Sequence, residues 1–240
     1  MSNKFDKKLI EKILPKFNSA KEWSDLMTIM KNLKENLLKY DNCSMAKLQV
    51  KDVLSKRLAQ CLNPSLPAGL HETTLETYDI LFENIRKNES NHLGDNLGYF
   101  SSGLFPFFQY ASVPNKSLFL NLIKKHYLEI VDVELQISLP GFLVSILPGL
   151  EDNNEVILRF IKEIFAKARQ KVGESIFFGI LWSVLLRTTR VRLAGLRYLT
   201  EAIPPYKIIL EKENYRDEYI QNFYPNLQVL VVNSLIAGIL

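Results

Sequence analysis

Apolar residues return along this chain at three- and four-residue intervals almost without interruption. Trp23, Leu26, Met27, Met30, Leu33, Leu37 and Leu38 make one such stripe, the pattern of an amphipathic helix. Ser19 and Glu22 just ahead of it have the spacing of a capping box, with Ser19 accepting from the backbone and Glu22 reaching back to it. A second helix is expected over about Ala46–Leu62, stopped by Asn63-Pro64. A third runs from about Pro67 to Arg86, with His71, Leu75, Tyr78, Phe82 and Ile85 on one face. Further helices are expected near Leu93–Tyr110, Asn115–Val133, Pro140–Leu147, Asn154–Lys171, Glu174–Leu186, Val191–Ile203 and Asn226–Leu240. In LPGFLVSILPGL, Pro140 suits a helix's opening turn, and Pro148-Gly149 suits its stop. No alternating run is bounded by Asn-Gly or Asp-Gly, so strand signals are nearly absent. The fold class is all-α.

Helices of this length joined by short loops fit a HEAT/armadillo-like α-solenoid of stacked antiparallel helix pairs better than a four-helix bundle. Thr189–Leu199, TRVRLAGLRYL, resembles the second helix of a HEAT repeat. No strict period of about 40 residues recurs elsewhere, so the repeats are degenerate. The reading is a single solenoid domain over residues 1–240: a short leading helix at 1–18, repeats over 19–205, and continuing helices over 206–240. A solenoid needs a polar terminal cap, and the last predicted helix is apolar to Leu240. The expectation is therefore the front part of a longer protein, with apolar surface near Leu235–Leu240 left open.

Composition narrows the classes without choosing among partners. Hydrophobic residues at 47% and charged residues at 23% are ordinary globular usage, so the chain should fold. Thirty basic against 26 acidic residues leave a formal charge of +4, a mild bias that falls short of a nucleic-acid signature. The N-terminus lacks a signal-peptide core, and the apolar run Ile176–Leu186 is too short to span a bilayer. Cys43 and Cys61 have neither metal spacing nor a disulfide framework, which points to a reducing, cytosolic home.

Catalytic signals are weak throughout. His71, His92 and His126 lack metal-binding spacing; His71 reads as a structural histidine on an apolar stripe, and the other two as surface residues. Ser101-Ser102-Gly103 lacks the frame that holds a nucleophilic serine on a strained turn. No phosphate-binding glycine loop occurs, and no cofactor is expected. Pro64, Pro67 and Gly69 punctuate a corner between two helices and read as shape-determining, as do Pro148 and Gly149.

Basic residues have more reach. Lys47, Lys51, Lys56 and Arg57 line one helix, and Arg187, Arg190 and Arg197 gather around another. At 100° per residue Arg190 and Arg197 project together, with Glu201 a turn on, whereas Arg192 falls on the core side and suits a structural bond to a neighbouring helix end. The bland reading of Arg190 and Arg197 is a solvated face. The sharper one is an anion or partner surface that takes an acidic lipid headgroup if the two basic groups share a face.

Several ungapped blocks together carry a family resemblance. Glu22-Trp23-Ser24-Asp25-Leu26, KRLAQCLNPSLP at Lys56–Pro67, His71, Leu75-Glu76-Thr77-Tyr78, YFSSGLFP at Tyr99–Pro106, ILPGLE at Ile146–Glu151, Phe178–Trp182 and Val191-Arg192-Leu193 closely resemble the Dopey N-terminal domain. The likeness covers most of Ser19–Leu199 and fades past Tyr206. Asn63 stands where members carry histidine, Ala194 where proline is usual, and Lys87–Asn96 is rich in asparagine. The resemblance implies a non-enzymatic trafficking scaffold, peripheral on the cytosolic face of Golgi, trans-Golgi and endosomal membranes. It also implies a Sec7-related scaffold of the Mon family as partner, with kinesin light chain and phosphoinositide membranes as further contacts. It supplies no catalytic residues. The rivals that stay open are an unrelated HEAT-type adaptor for nuclear transport or signalling, and an enzyme built on a helical bundle. Self-association is left open.

Overall fold

The computed structural model describes residues 12–39, 48–88, 93–203 and 216–236. Lys47, His92, Cys43 and the last four residues, to Leu240, lie outside them. The chain is an all-α, solenoid-like stack, with no strand among the described residues. It divides into two compact units, Met1–Glu134 and Leu135–Leu240.

In the first unit a one-turn helix, Lys16–Ser19, precedes α1 (Trp23–Lys39), α2 (Leu48–Cys61), α3 (Ala68–Asn88), α4 (Leu93–Phe107) and α5 (Val113–Lys125). Neighbours in space are next-but-one in sequence: α3 packs between α1 and α5, and α2 packs on α4. This two-layer arrangement is how a solenoid buries one helix face after another. Between the layers sit Tyr78 and Phe82 of α3 and Phe100 of α4, their ring centroids 5.6 to 6.2 Å apart. All three side chains are buried, which places most of the apolar gain in the seam between layers.

Polar side chains report the period that the sequence conceals. Asn84 Nδ2 donates to Leu37 O at 3.0 Å, Asn115 Nδ2 donates to Ala68 O at 3.0 Å, and His126 meets Asp79; each pair is separated by 47 residues. Each buried amide bonds a main-chain carbonyl of another helix, which offsets its own desolvation. In the second unit Ser175 reaches Gln221 and Arg197 reaches Glu151 at offsets of 46. One helix-pair repeat therefore takes the length expected of HEAT and armadillo units.

The second unit takes up α6 (Asp132–Ile146) after its first turn, then α7 (Glu155–Val172), α8 (Glu174–Arg187), α9 (Arg192–Ala202), α10 (Arg216–Phe223) and α11 (Leu227–Ile236). Helix α7 shows the local logic most clearly. Asn154 Oδ1 accepts from the amides of Val156 and Ile157 at 3.0 and 3.2 Å, satisfying two free N–H groups of the first turn. Ile157, Ile161, Ile164, Phe165, Ala168 and Val172 then form the buried stripe. Gly173 ends the helix at φ 88°, a conformation that strains any L side chain, and the same residue opens α8.

Four expectations are corrected. The helix expected over Asn115–Val133 ends at Lys125, and a 3-10 turn, Tyr127–Glu129, intervenes before α6 starts at Asp132. The turn buries Tyr127 and Leu128, so packing overrides continuous helical spacing there. Pro140 is not in an opening turn but inside α6, where Leu135, Leu139, Phe142, Leu143 and Ile146 are completely buried. That burial offsets the hydrogen bond a proline cannot donate. With its 3-10 extension the segment Asp132–Glu151 is long and apolar enough to cross a bilayer, at mean hydropathy 1.5; one face is buried, while Val133 and Ile137 on the other are exposed. Pro148-Gly149 lie in that extension, Leu147–Glu151. Ser19 does not cap α1: its hydroxyl donates to Lys16 O at 2.9 Å. Asp25 closes the start instead, accepting from the amides of Lys21 and Glu22, and those bonds hold its carboxyl below the usual range. His126, read as a surface residue, is fully buried. Helix α10 had no expectation of its own.

Candidate interaction surfaces

The corner between α2 and α3 is built around Asn63. Its side chain accepts from the Ser65 amide and hydroxyl at 3.0 and 2.7 Å, and its carbonyl meets His71 Nε2 at 2.8 Å. Pro67 precedes the first residue of α3, and its carbonyl accepts from Leu70 N at 2.9 Å. His71 is buried and packs edge-on against Phe107, with centroids 5.0 Å apart. With Nε2 donating to a carbonyl and the ring held against a phenyl face, His71 ties two helices to the corner. A Cβ added to Gly69 would meet Met27 Cε at 3.7 Å, an ordinary contact.

The candidate cations fall in different units. On α2, Lys56 pairs with Asp52 at 2.8 Å, within one exposed helix face. Arg57 donates to Gln60 at 3.1 Å and to the side chain of Asn18, so it fastens the leading turn to α2. Lys51, on the same helix, is half-buried. In the second unit Arg187 and Arg190 are exposed, on either side of the break between α8 and α9. Arg197 is also exposed and contacts Glu151 at 3.4 Å, while Glu201 pairs with Lys162 at 2.5 Å. Arg192 points inward, its guanidinium donating to Leu185 O and Leu186 O at 3.1 and 3.3 Å and closing the C-terminal end of α8.

Sequence reasoning missed a notch of mixed aliphatic and charged lining in the first unit. Lys34, Leu75, Glu76, Asp79, Leu122 and Lys125 line a cavity of about 310 Å³ on the α1–α3–α5 layer. Its charges are matched, Lys34 with Glu76 at 2.6 Å and Lys125 with Asp79 at 2.9 Å. Beneath it His126 Nε2 lies 2.6 Å from Asp79 Oδ1, and His126 Nδ1 is buried without a partner. Burial is the largest influence on His126 and lowers its pKa; the neighbouring carboxylate opposes this in part. Burial would raise the Asp79 carboxyl, but bonds from Lys125 and His126 together hold it below its ordinary value. Only the offset of 47 residues could have flagged this pair in the sequence, and that offset has no signal of its own.

Reactive groups are placed for packing. The Cys61 thiol is buried, and its pKa is pushed up to about 12, so it stays protonated and inert. Ser102 donates to Tyr99 O within its own helix. Among the described residues no three His, Cys, Asp or Glu side chains are grouped to hold a metal.

Helices packed in neighbouring pairs, with no strand among the described residues, define an all-α helical-repeat protein. The family profile "Dopey, N-terminal" matches residues 2–240. Protein DOP1B of Mus musculus is 35% identical over 195 residues, 81% of this chain and 8% of that protein. Protein pad-1 of Caenorhabditis elegans is 33% identical over 193 residues, 80% of this chain and 8% of its own length. Protein DOP1 of Saccharomyces cerevisiae is 29% identical over 200 residues, 81% of this chain and 12% of its own. No solved structure matches the chain. The chain belongs to the Dopey family, and it spans about a twelfth of the length of the mouse and nematode relatives.

Proposed function

We infer that this chain is a non-enzymatic scaffold domain in membrane traffic between endosomes and the Golgi, working at the cytosolic face of those membranes. The observation that carries the reading is family membership across residues 2–240. The architecture is consistent with it, because a stack of helix pairs presents long continuous faces to which a partner helix or peptide can dock. The partner in this reading is a Sec7-related scaffold of the Mon family, with kinesin light chain as a second protein contact. Acidic phosphoinositide headgroups form a membrane contact through Arg187 and Arg190, which are exposed and three residues apart in the chain.

The test uses the intact chain as bait in a cytosolic extract and asks whether a Sec7-related scaffold is retained. Sedimentation with phosphoinositide-containing liposomes at low and raised salt runs alongside. Membrane contact through these arginines weakens at raised salt and is lost when Arg187 and Arg190 are both changed to Glu. Liposome binding unaffected by the double reversal ends the lipid part of the reading, and failure to retain any Sec7-related protein ends the partner part.

A further inference from the structure

The joint where α5 stops is built around one imidazole. His126 is fully buried, and its amide closes the last turn of α5 by donating to Leu122 O at 3.0 Å. Its carbonyl accepts from Glu129 N at 3.2 Å and so starts the 3-10 turn Tyr127–Glu129. That turn buries Leu128 and Tyr127, whose ring meets Phe105 of α4 edge-on with centroids 5.4 Å apart. The imidazole itself stands edge-on to Phe82 of α3, with centroids 5.7 Å apart. One side chain therefore sits where α5, the turn and α3 meet.

Its two nitrogens are placed unequally. Nε2 donates to Asp79 Oδ1 at 2.6 Å, whereas Nδ1 is buried and has no partner among the described residues. The neutral ring suits this site. A second proton would make Nδ1 a buried N–H with nothing to accept it, and such a group is costly to leave unmatched. The surrounding charges do not compensate. Asp79 of α3 favours a positive ring, but Arg86 of α3 and Lys125 of α5 oppose one. Asp79 is also shared with Lys125 at 2.9 Å, and Glu83 of α3 lies 3.7 Å from that same lysine. Arg86 bonds the Lys125 carbonyl at 3.0 Å, which keeps its charge at the joint. On the α1 side Lys34 pairs with Glu76, and Glu129 of the turn is exposed.

We propose that His126 is a proton-operated latch: the neutral ring pins the end of α5 and the 3-10 turn to α3, and protonation releases them while the rest of the first unit stays folded. An imidazolium finds an acceptor for Nδ1 only in water, so the ring must leave its site to become charged. The turn goes with it, because the backbone of the same residue both ends α5 and starts the turn. Release is favoured as pH falls through the histidine range, since the open joint takes up a proton that the closed joint resists. The latch is independent of the scaffold reading and of any partner.

The test follows amide hydrogen exchange of the whole chain at about pH 7.5 and about pH 5.5, corrected for intrinsic exchange rates, alongside imidazole NMR. One proton taken up at the ordinary histidine pKa of 6.5 shifts the opening equilibrium by at most about tenfold over that interval. The expected result is a several-fold loss of protection, up to that limit, confined to residues 122–130. The same spectra should show His126 neutral at the higher pH, with its proton on Nε2. His126→Gln, whose amide can still donate to Asp79, should keep the protection and lose its pH dependence. Unchanged protection over residues 122–130 at the lower pH overturns the latch. So does a pH-dependent loss that survives His126→Gln, or a loss spread evenly over α1, α3 and α5, which would mean that the unit opens as a whole. The wild-type exchange pattern and ring titration decide the matter even where the variant does not fold.

Discussion

His126 and Asp79 concentrate the polar consequences of stacking into one contact. The imidazole is buried on α5's C-terminal side, the carboxylate is on α3, and Lys125 holds the same carboxylate from outside. Folding keeps His126 neutral at pH values where the unfolded chain already protonates it, since its folded pKa lies below the ordinary 6.5. Asp79 likewise stays ionised to lower pH in the folded chain. Both groups bind fewer protons folded than unfolded, so stability rises with pH. The histidine contribution is complete above its unfolded pKa and fades as pH falls through the folded value; the aspartate contribution is lost in a second step below about pH 4. The urea midpoint at about pH 5 should therefore lie below that at about pH 7.5, and His126→Gln should flatten that difference. A wild-type midpoint constant across the range would refute the account. Asp79→Ala leaves the buried ring without its partner and should cost about 1–3 kcal/mol at neutral pH. His71 was legible as a buried histidine from its place on an apolar stripe; His126, following Lys124 and Lys125, had no such marker.

At the level of elements, glycines separate packing from propensity. Gly103 and Gly98 both lie inside α4, and propensity alone ranks them equally costly. A Cβ on Gly103 would fall 2.3 Å from the Ala59 Cβ and 2.9 Å from its Cα, so α4 and α2 meet there nearly backbone to backbone. A Cβ on Gly98 meets nothing within 4 Å. Gly103→Ala should destabilise by about 1–3 kcal/mol through overpacking, whereas Gly98→Ala should be neutral or stabilise by about 0.5–1 kcal/mol. Paired chemical denaturation distinguishes the two, and equal shifts would show that the α2–α4 seam yields freely. Most helices were readable from periodicity, because each buries one stripe: α1, α3 and α7 follow their apolar spacing closely. In α6 Pro140 read as a boundary, although the helix runs through it: Pro140 lies on the exposed side, and Leu135, Leu139, Phe142, Leu143 and Ile146, buried on the other, hold the helix together.

For the molecule as a whole, stability should behave as a sum of neighbour terms within each unit. In the second unit Phe165 of α7 lies 6.0 Å from Phe177 of α8 and 5.0 Å from Tyr198 of α9, so one ring joins three helices. Phe165→Ala should cost about 3–5 kcal/mol and lower amide protection in α7, α8 and α9 together; loss confined to α7 would contradict the stacking account. The all-α class, the corner at Pro64–Gly69, the inward place of Arg192 and the family likeness could all be read from the sequence, because each depends on residue type and on spacings of a few positions. The repeat period, the burial of His126 and the pairing of Arg197 with Glu151 could not. They depend on which residues meet across 39 to 47 positions, and those meetings are set by how helices of unequal length stack. Local spacing decides that a segment is a helix and which face it buries, but only the packed structure decides what that face meets.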